Sequence, residues 1–107
     1  MACALFYDVP ADERIYARVN AEIGAEPPKG LLVHIVTKRP EGGLRHLNVW
    51  ESKEDFDRFQ QERVGPAVAK VLRAMGIDEM PPRPQVHDLQ LVDVTVHEIR
   101  AAAAPAG

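Results

Sequence analysis

Apolar periodicity along the 107 residues switches in the order β-α-β-β-α-β, which predicts a ferredoxin-like α+β fold: a four-stranded antiparallel sheet with two helices on one face. Two observations anchor that order. Gly42-Gly43 separates two strand-like runs and supplies the positive φ angles of a tight hairpin. Ser52 then stands directly before a long helical stripe, with Asp55 three residues on as a variant capping box.

Taken in order, Ala2 to Tyr7 is a short apolar run with aromatics and reads as a buried first strand. Asp8-Val9-Pro10 ends it, and Pro10 is expected in the first turn of helix one, where its missing N–H costs nothing. Asp12 and Glu13 suit the positive end of the helix dipole. Ile15, Tyr16, Val19 and Ile23 recur at helical spacing up to a capping Gly24. Leu31 to Thr37 and Leu44 to Glu51 are the hairpin strands. In the long helix, Phe56, Phe59, Val64, Ala67, Val68, Val71, Leu72 and Met75 form one stripe, with a kink or break expected at Gly65-Pro66. After the stiff Pro81 to Pro84 connector, Val86 to Ile99 reads as a long last strand that changes parity midway. Residues 1–100 are expected to form a single domain and 101–107 a flexible tail.

Composition narrows the function. Net charge is −3 with basic residues scattered among acidic ones, so no basic stripe invites nucleic acid. No apolar run approaches the ~20 residues of a membrane span. The single cysteine, Cys3, reads as a small apolar strand residue, and with no signal-peptide pattern a cytoplasmic location is expected.

In strand two, Leu31, Val33 and Ile35 share one face and Leu32, His34 and Val36 the other. In strand three, Leu47 and Val49 oppose Leu44, His46, Asn48 and Trp50. Neither face is plainly polar, yet two helices cover only one, so a second copy of the chain, sheet against sheet, is the expected cover. Pairing Lys38 with Leu44 sets His34 opposite Asn48, Val36 opposite His46 and Leu32 opposite Trp50. Two imidazoles, an amide and an indole N–H then share a face, either as a satisfied internal network or as a pocket lining. His34, flanked by aliphatics, is expected buried, as a core histidine bonded to Asn48 or as an acid–base group. His46, nearer the hairpin tip, is expected more solvated. With no third strong ligand beside the two histidines, no metal site is expected.

At Val49-Trp50-Glu51-Ser52-Lys53-Glu54-Asp55-Phe56 the chain resembles the dimeric α+β barrel superfamily of antibiotic-biosynthesis-monooxygenase-like proteins and haem-degrading monooxygenases, where a strand ends in an aromatic residue and Ser or Thr opens the long helix. The resemblance implies a homodimeric barrel and a range of members, including cofactor-independent oxygenases, haem degraders, decarboxylase- or isomerase-like enzymes and many small proteins of unknown role. Trp50 resembles the pocket tryptophan of the haem-degrading branch. That branch also has a helical histidine and an asparagine near the first strand, which residues 52–75 and 2–8 lack. The resulting expectation is a cofactor-free, monooxygenase-like enzyme on a small apolar or aromatic substrate, or a ligand-binding or accessory dimer using the same pocket. His34 would be the catalytic group, and Asn48, Trp50, His46, Phe56 and Phe59 the substrate-binding groups.

Overall fold

The structure, a computed structural model, describes residues 2–97. Its elements are β1 (Cys3–Val9), α1 (Glu13–Ile23), β2 (Leu31–Lys38), β3 (Leu44–Trp50), α2 (Lys53–Phe59), a π-helical turn (Gln60–Val64), α3 (Gly65–Ala74) and β4 (His87–Leu89). The strands form one antiparallel sheet in the order β2-β3-β1-β4. This is the ferredoxin-like α+β class.

Local chemistry explains most boundaries. Helix α1 begins at Glu13, because Asp12 Oδ1 accepts from the Ile15 N–H at 3.0 Å. Pro10 therefore lies before the helix and not in its first turn. Ser52 caps α2 by accepting from the Asp55 N–H at 3.2 Å. The hairpin glycines adopt φ of 104° at Gly42 and 84° at Gly43. At the end of α3 the Ile77 N–H reaches the Leu72 carbonyl at 2.9 Å and the Gly76 N–H reaches Arg73 at 3.0 Å, a Schellman closure.

Three expectations change. The irregularity expected at Gly65-Pro66 lies just before it: the Gly65 N–H bonds to the Gln60 carbonyl, five residues back, so one wide turn joins two α segments. Pro66 has no N–H for an α-type bond, and the wide turn absorbs that gap without breaking the helix. In the hairpin, Leu31 and not Leu32 faces Trp50, because the register shifts between Leu31 and Val33. That bulge turns Leu31 into the core and leaves Leu32 exposed. The last strand is three residues long, and the segment 90–97 has no strand partner, among the described residues. The remainder of the expected strand, and the tail, lie outside the described residues.

The core lies between the sheet and the helices. Leu5, Tyr7, Trp50 and Phe56 form its centre, with Cys3, Val9, Leu31 and Phe59 packed around them. Alternation accounts for the membership: the odd positions of β1 and the even positions of β3 share the helix-covered face. Arg63 fastens the helical layer by donating to the Ile23 and Glu26 carbonyls at 3.0 and 2.9 Å. The other face carries Phe6, stacked on His87 with centroids 4.7 Å apart and covered by the Arg45 guanidinium at 4.5 Å. Arg45 also grips Asp8 with two hydrogen bonds of 2.7 and 3.0 Å. Ile35 on that face remains 45% exposed, so in a single chain the face is only partly covered. Among the described residues no helix is long and apolar enough to cross a membrane.

The hairpin makes a paired prediction. A Cβ at Gly42 meets open space, whereas at Gly43 it would collide with the Val9 carbonyl oxygen. Both variants to alanine carry the left-handed strain of about 1–2 kcal/mol. Gly43→Ala should lower the urea midpoint clearly more than Gly42→Ala, and equal midpoints would contradict this hairpin geometry.

Candidate functional site

Three polar side chains of β3 sit at the middle of the sheet on its covered face. His46 is 9% exposed, Asn48 3% and Trp50 1%. The register pairs His34 with Asn48 and Val36 with His46, as the hairpin reading expects. His34 is therefore on the same face, and its ring stacks on His46 with centroids 5.8 Å apart.

The burial of the two histidines is the reverse of the expectation. His46 is buried and His34 exposed. Sheet order is the reason: β3 is central, while β2 is an edge strand with no strand on its outer side among the described residues. His46 also lies flat against Tyr7 of β1, with centroids 5.0 Å apart and planes within 7°, and receives the edge of Tyr16 from α1 at 5.5 Å. The result is an aromatic row, Tyr7, His46, His34, that crosses three strands from the core to solvent.

Electrostatics follow from this packing. Burial pushes the His46 pKa down from 6.5 to about 4, and the neighbouring His34 adds to the effect against the opposing pull of Asp8. Partial burial also lowers the His34 pKa. Both imidazoles are thus neutral near pH 7, and each has a nitrogen lone pair able to accept a proton or a hydrogen bond. Burial raises the Tyr7 hydroxyl pKa, while the Gln60 and Asn48 side chains on its oxygen pull the other way.

Among the described residues two buried side-chain atoms have no hydrogen-bond partner: Asn48 Oδ1 and Trp50 Nε1. Leaving such a group unpaired costs about 1–3 kcal/mol, so the pair marks a polar position on this face that the protein's own packing does not satisfy. The Trp50 ring itself is boxed in, edge-on to Phe56 at 5.9 Å and tilted against Phe59 at 5.5 Å. The sequence-expected residues therefore do share one face, with the aromatic end filled and the His34 end open. Two clefts open on the helical side, of about 90 and 250 Å³, and neither touches His34, Asn48 or Trp50, although Phe59 lines the smaller.

Sequence reasoning missed Tyr7, Tyr16 and Gln60. Tyr7 carries a signal in retrospect, since a tyrosine in a buried strand must find a partner for its hydroxyl. Gln60 carries none, because its direction depends on the π-helical turn.

Comparison with solved structures gives the fold a context. Rv0793 from Mycobacterium tuberculosis is 14% identical over 88% of this chain and 98% of its own, with a TM-score of 0.57. A protein named as an antibiotic biosynthesis monooxygenase from Chloroflexus aurantiacus is 17% identical over 89% and 97%, with a TM-score of 0.56. The fold is that of the antibiotic-biosynthesis-monooxygenase-like proteins. A variant of SnoaB, a cofactor-independent oxygenase from Streptomyces nogalater, is 16% identical over 87% and 93%, with a TM-score of 0.50. No family model matches the chain, and no curated protein matches it either. At these identities the likeness speaks for the fold, and the site must be argued from this chain's own residues.

The His46 environment predicts a pH dependence. Between pH 6.5 and about 4 the unfolded chain protonates this histidine and the folded chain does not. Stability should therefore be lost as pH falls through that window, by up to about 1.4 kcal/mol per pH unit from this group. His46→Phe keeps a ring in the stack and removes the titration. Its urea-unfolding free energy should fall less steeply than wild type from pH 6.5 to 4; parallel profiles would contradict the buried, neutral assignment.

Proposed function

We propose that the chain is a cofactor-independent, monooxygenase-like enzyme of the cytoplasm that acts as a homodimer on a small, partly apolar or aromatic substrate. The observation that supports this most is the pair of buried, unpartnered atoms, Asn48 Oδ1 and Trp50 Nε1, on the strand face that also carries the neutral histidines. A ligand with an oxygen function could satisfy both while its ring lies against His46, Phe56 and Phe59. The reaction class is the one named for SnoaB, whose fold the chain shares.

His34 is the catalytic base in this reading. It is solvent-accessible at the mouth of the face, and its lowered pKa leaves it unprotonated near neutrality. Its free nitrogen takes a proton from a phenolic O–H or an acidified C–H. The resulting anion is electron-rich enough to reduce dioxygen, which is the second substrate. When a CH2 becomes C=O, one oxygen atom stays in the product and the other leaves as water with the two hydrogens. No further reductant is required. Asn48 and Trp50 hold the substrate oxygen and so fix which carbon faces His34.

The homodimer rests on the outer sheet face and the segment beyond β4. Ile35 and Leu89 are exposed there, and in the unpaired segment Val92 is 97% exposed. A valine held fully in water on a chain with no strand partner is better accounted for by a second copy than by solvent.

A second reading, a ligand carrier or accessory dimer, is favoured by one observation: Phe56 and Phe59 close tightly on Trp50, which limits room at that end.

Light scattering at micromolar concentration should give about twice the 11.9 kDa chain mass, and a stable monomer would contradict the dimer. With an electron-rich polycyclic phenol, oxygen uptake should fall by about 100-fold or more in His34→Ala while the dimer stays folded. Unchanged uptake would remove His34 from the chemistry, and phenol binding without uptake by wild type would favour the carrier.

A further inference from the structure

Gln60 and Tyr7 join the unpaired Asn48 to the helical layer. Gln60 opens the π-helical turn, and its Nε2 donates to the Tyr7 hydroxyl at 3.5 Å. Tyr7 faces His46 across the sheet and Leu5 faces Asn48, so Asn48 is the diagonal neighbour of Tyr7 on the same face. The Asn48 side chain lies beside the same hydroxyl and pulls its pKa down. Two amides thus flank one phenolic hydroxyl. An amide that turns its nitrogen toward Tyr7 must turn its oxygen away, and Asn48 Oδ1 is the buried atom left without a partner.

We infer that Gln60 and Tyr7 are positioning residues that lock the Asn48 side chain with its oxygen toward the ligand, so that the site selects a hydroxyl group over an ether or a carbonyl at that point. The inference rests on the ligand-binding reading above and adds to it a specificity and two residues outside the expected set. A single hydroxyl answers both unpaired atoms, donating to Asn48 Oδ1 and accepting from Trp50 Nε1–H. These residues are two apart on one strand and on one face, about 7 Å between Cα atoms. An ether oxygen could accept from Trp50 but would leave Asn48 Oδ1 unpaired, and sites built on such a bond reject the analogue that lacks it. The π-helical turn has a backbone cause in Pro66, and its consequence is the direction of Gln60. Wide turns of this kind are frequent at functional sites.

The test pairs a spectrum with a binding ratio. In nitrogen-15 NMR of the free protein, the Asn48 side-chain amide protons should exchange slowly, and Tyr7→Phe and Gln60→Leu should each speed that exchange. By calorimetry, wild type should bind 1-naphthol at least about 10-fold more tightly than 1-methoxynaphthalene, the effect of one lost buried hydrogen bond. Both variants should bring that ratio to within about threefold, because the freed amide can turn over. Gln60→Leu carries the test if Tyr7→Phe fails to fold, since Gln60 lies at the edge of the core. A wild-type ratio retained in the variants, a preference for the methyl ether, or Asn48 amide exchange indifferent to both substitutions overturns the inference while leaving the pocket standing. Binding of neither naphthalene overturns the pocket reading, and the hydroxyl selection with it.

Discussion

Strand β3 runs through the middle of the sheet and presents an imidazole, an amide and an indole to the side that the helices cover. That is the constraint from which the remaining structure follows. Each of these heads costs free energy if buried alone, and each is handled differently. His46 loses its charge and becomes a flat ring between Tyr7 and His34. Asn48 leans on the Tyr7 hydroxyl and keeps one unpaired oxygen. Trp50 gives its ring to Phe56 and Phe59 and keeps one unpaired N–H. An apolar strand would pack this face at lower cost, so the retained polar heads are the strongest argument that the face meets a ligand.

The fold was legible because its signals are local. The Gly42-Gly43 turn, the Ser52 cap and the alternation in β3 and in β2 from Val33 on each act within a few residues, and each is met in the structure. The His34–Asn48 pairing followed from the turn alone. What could not be read depends on elements far apart in sequence. Along the chain His34 looks the more buried and His46 the more solvated, and only the order β2-β3-β1-β4 makes the first an edge residue and the second central. The bulge that exchanges Leu31 for Leu32 leaves no mark in the alternation. The π-helical turn was half legible, since Pro66 announces a missing N–H without saying whether the helix breaks, kinks or widens.

The long last strand is an instructive miss. Its valines make a strand pattern, yet a strand exists only where another lies beside it. Among the described residues just His87 to Leu89 pair, against β1, and of the valines beyond, Val92 and Val96 are exposed. The pattern thus describes a segment suited to a neighbour that this chain does not provide, in keeping with the partly bare outer face and the homodimer proposed above. In that proposal function is divided between two surfaces of one sheet, the covered face for the ligand and the outer face for association.

The central claim is that the covered face holds a polar ligand position between Asn48 and Trp50, open toward His34. A high-resolution crystal structure of the purified protein tests it most directly. The account predicts ordered non-protein density, from water or a co-purified molecule, within hydrogen-bond distance of both Asn48 Oδ1 and Trp50 Nε1 and continuous with space beside His34. A structure in which both atoms bond to protein groups, with side chains filling the region between them, would contradict it.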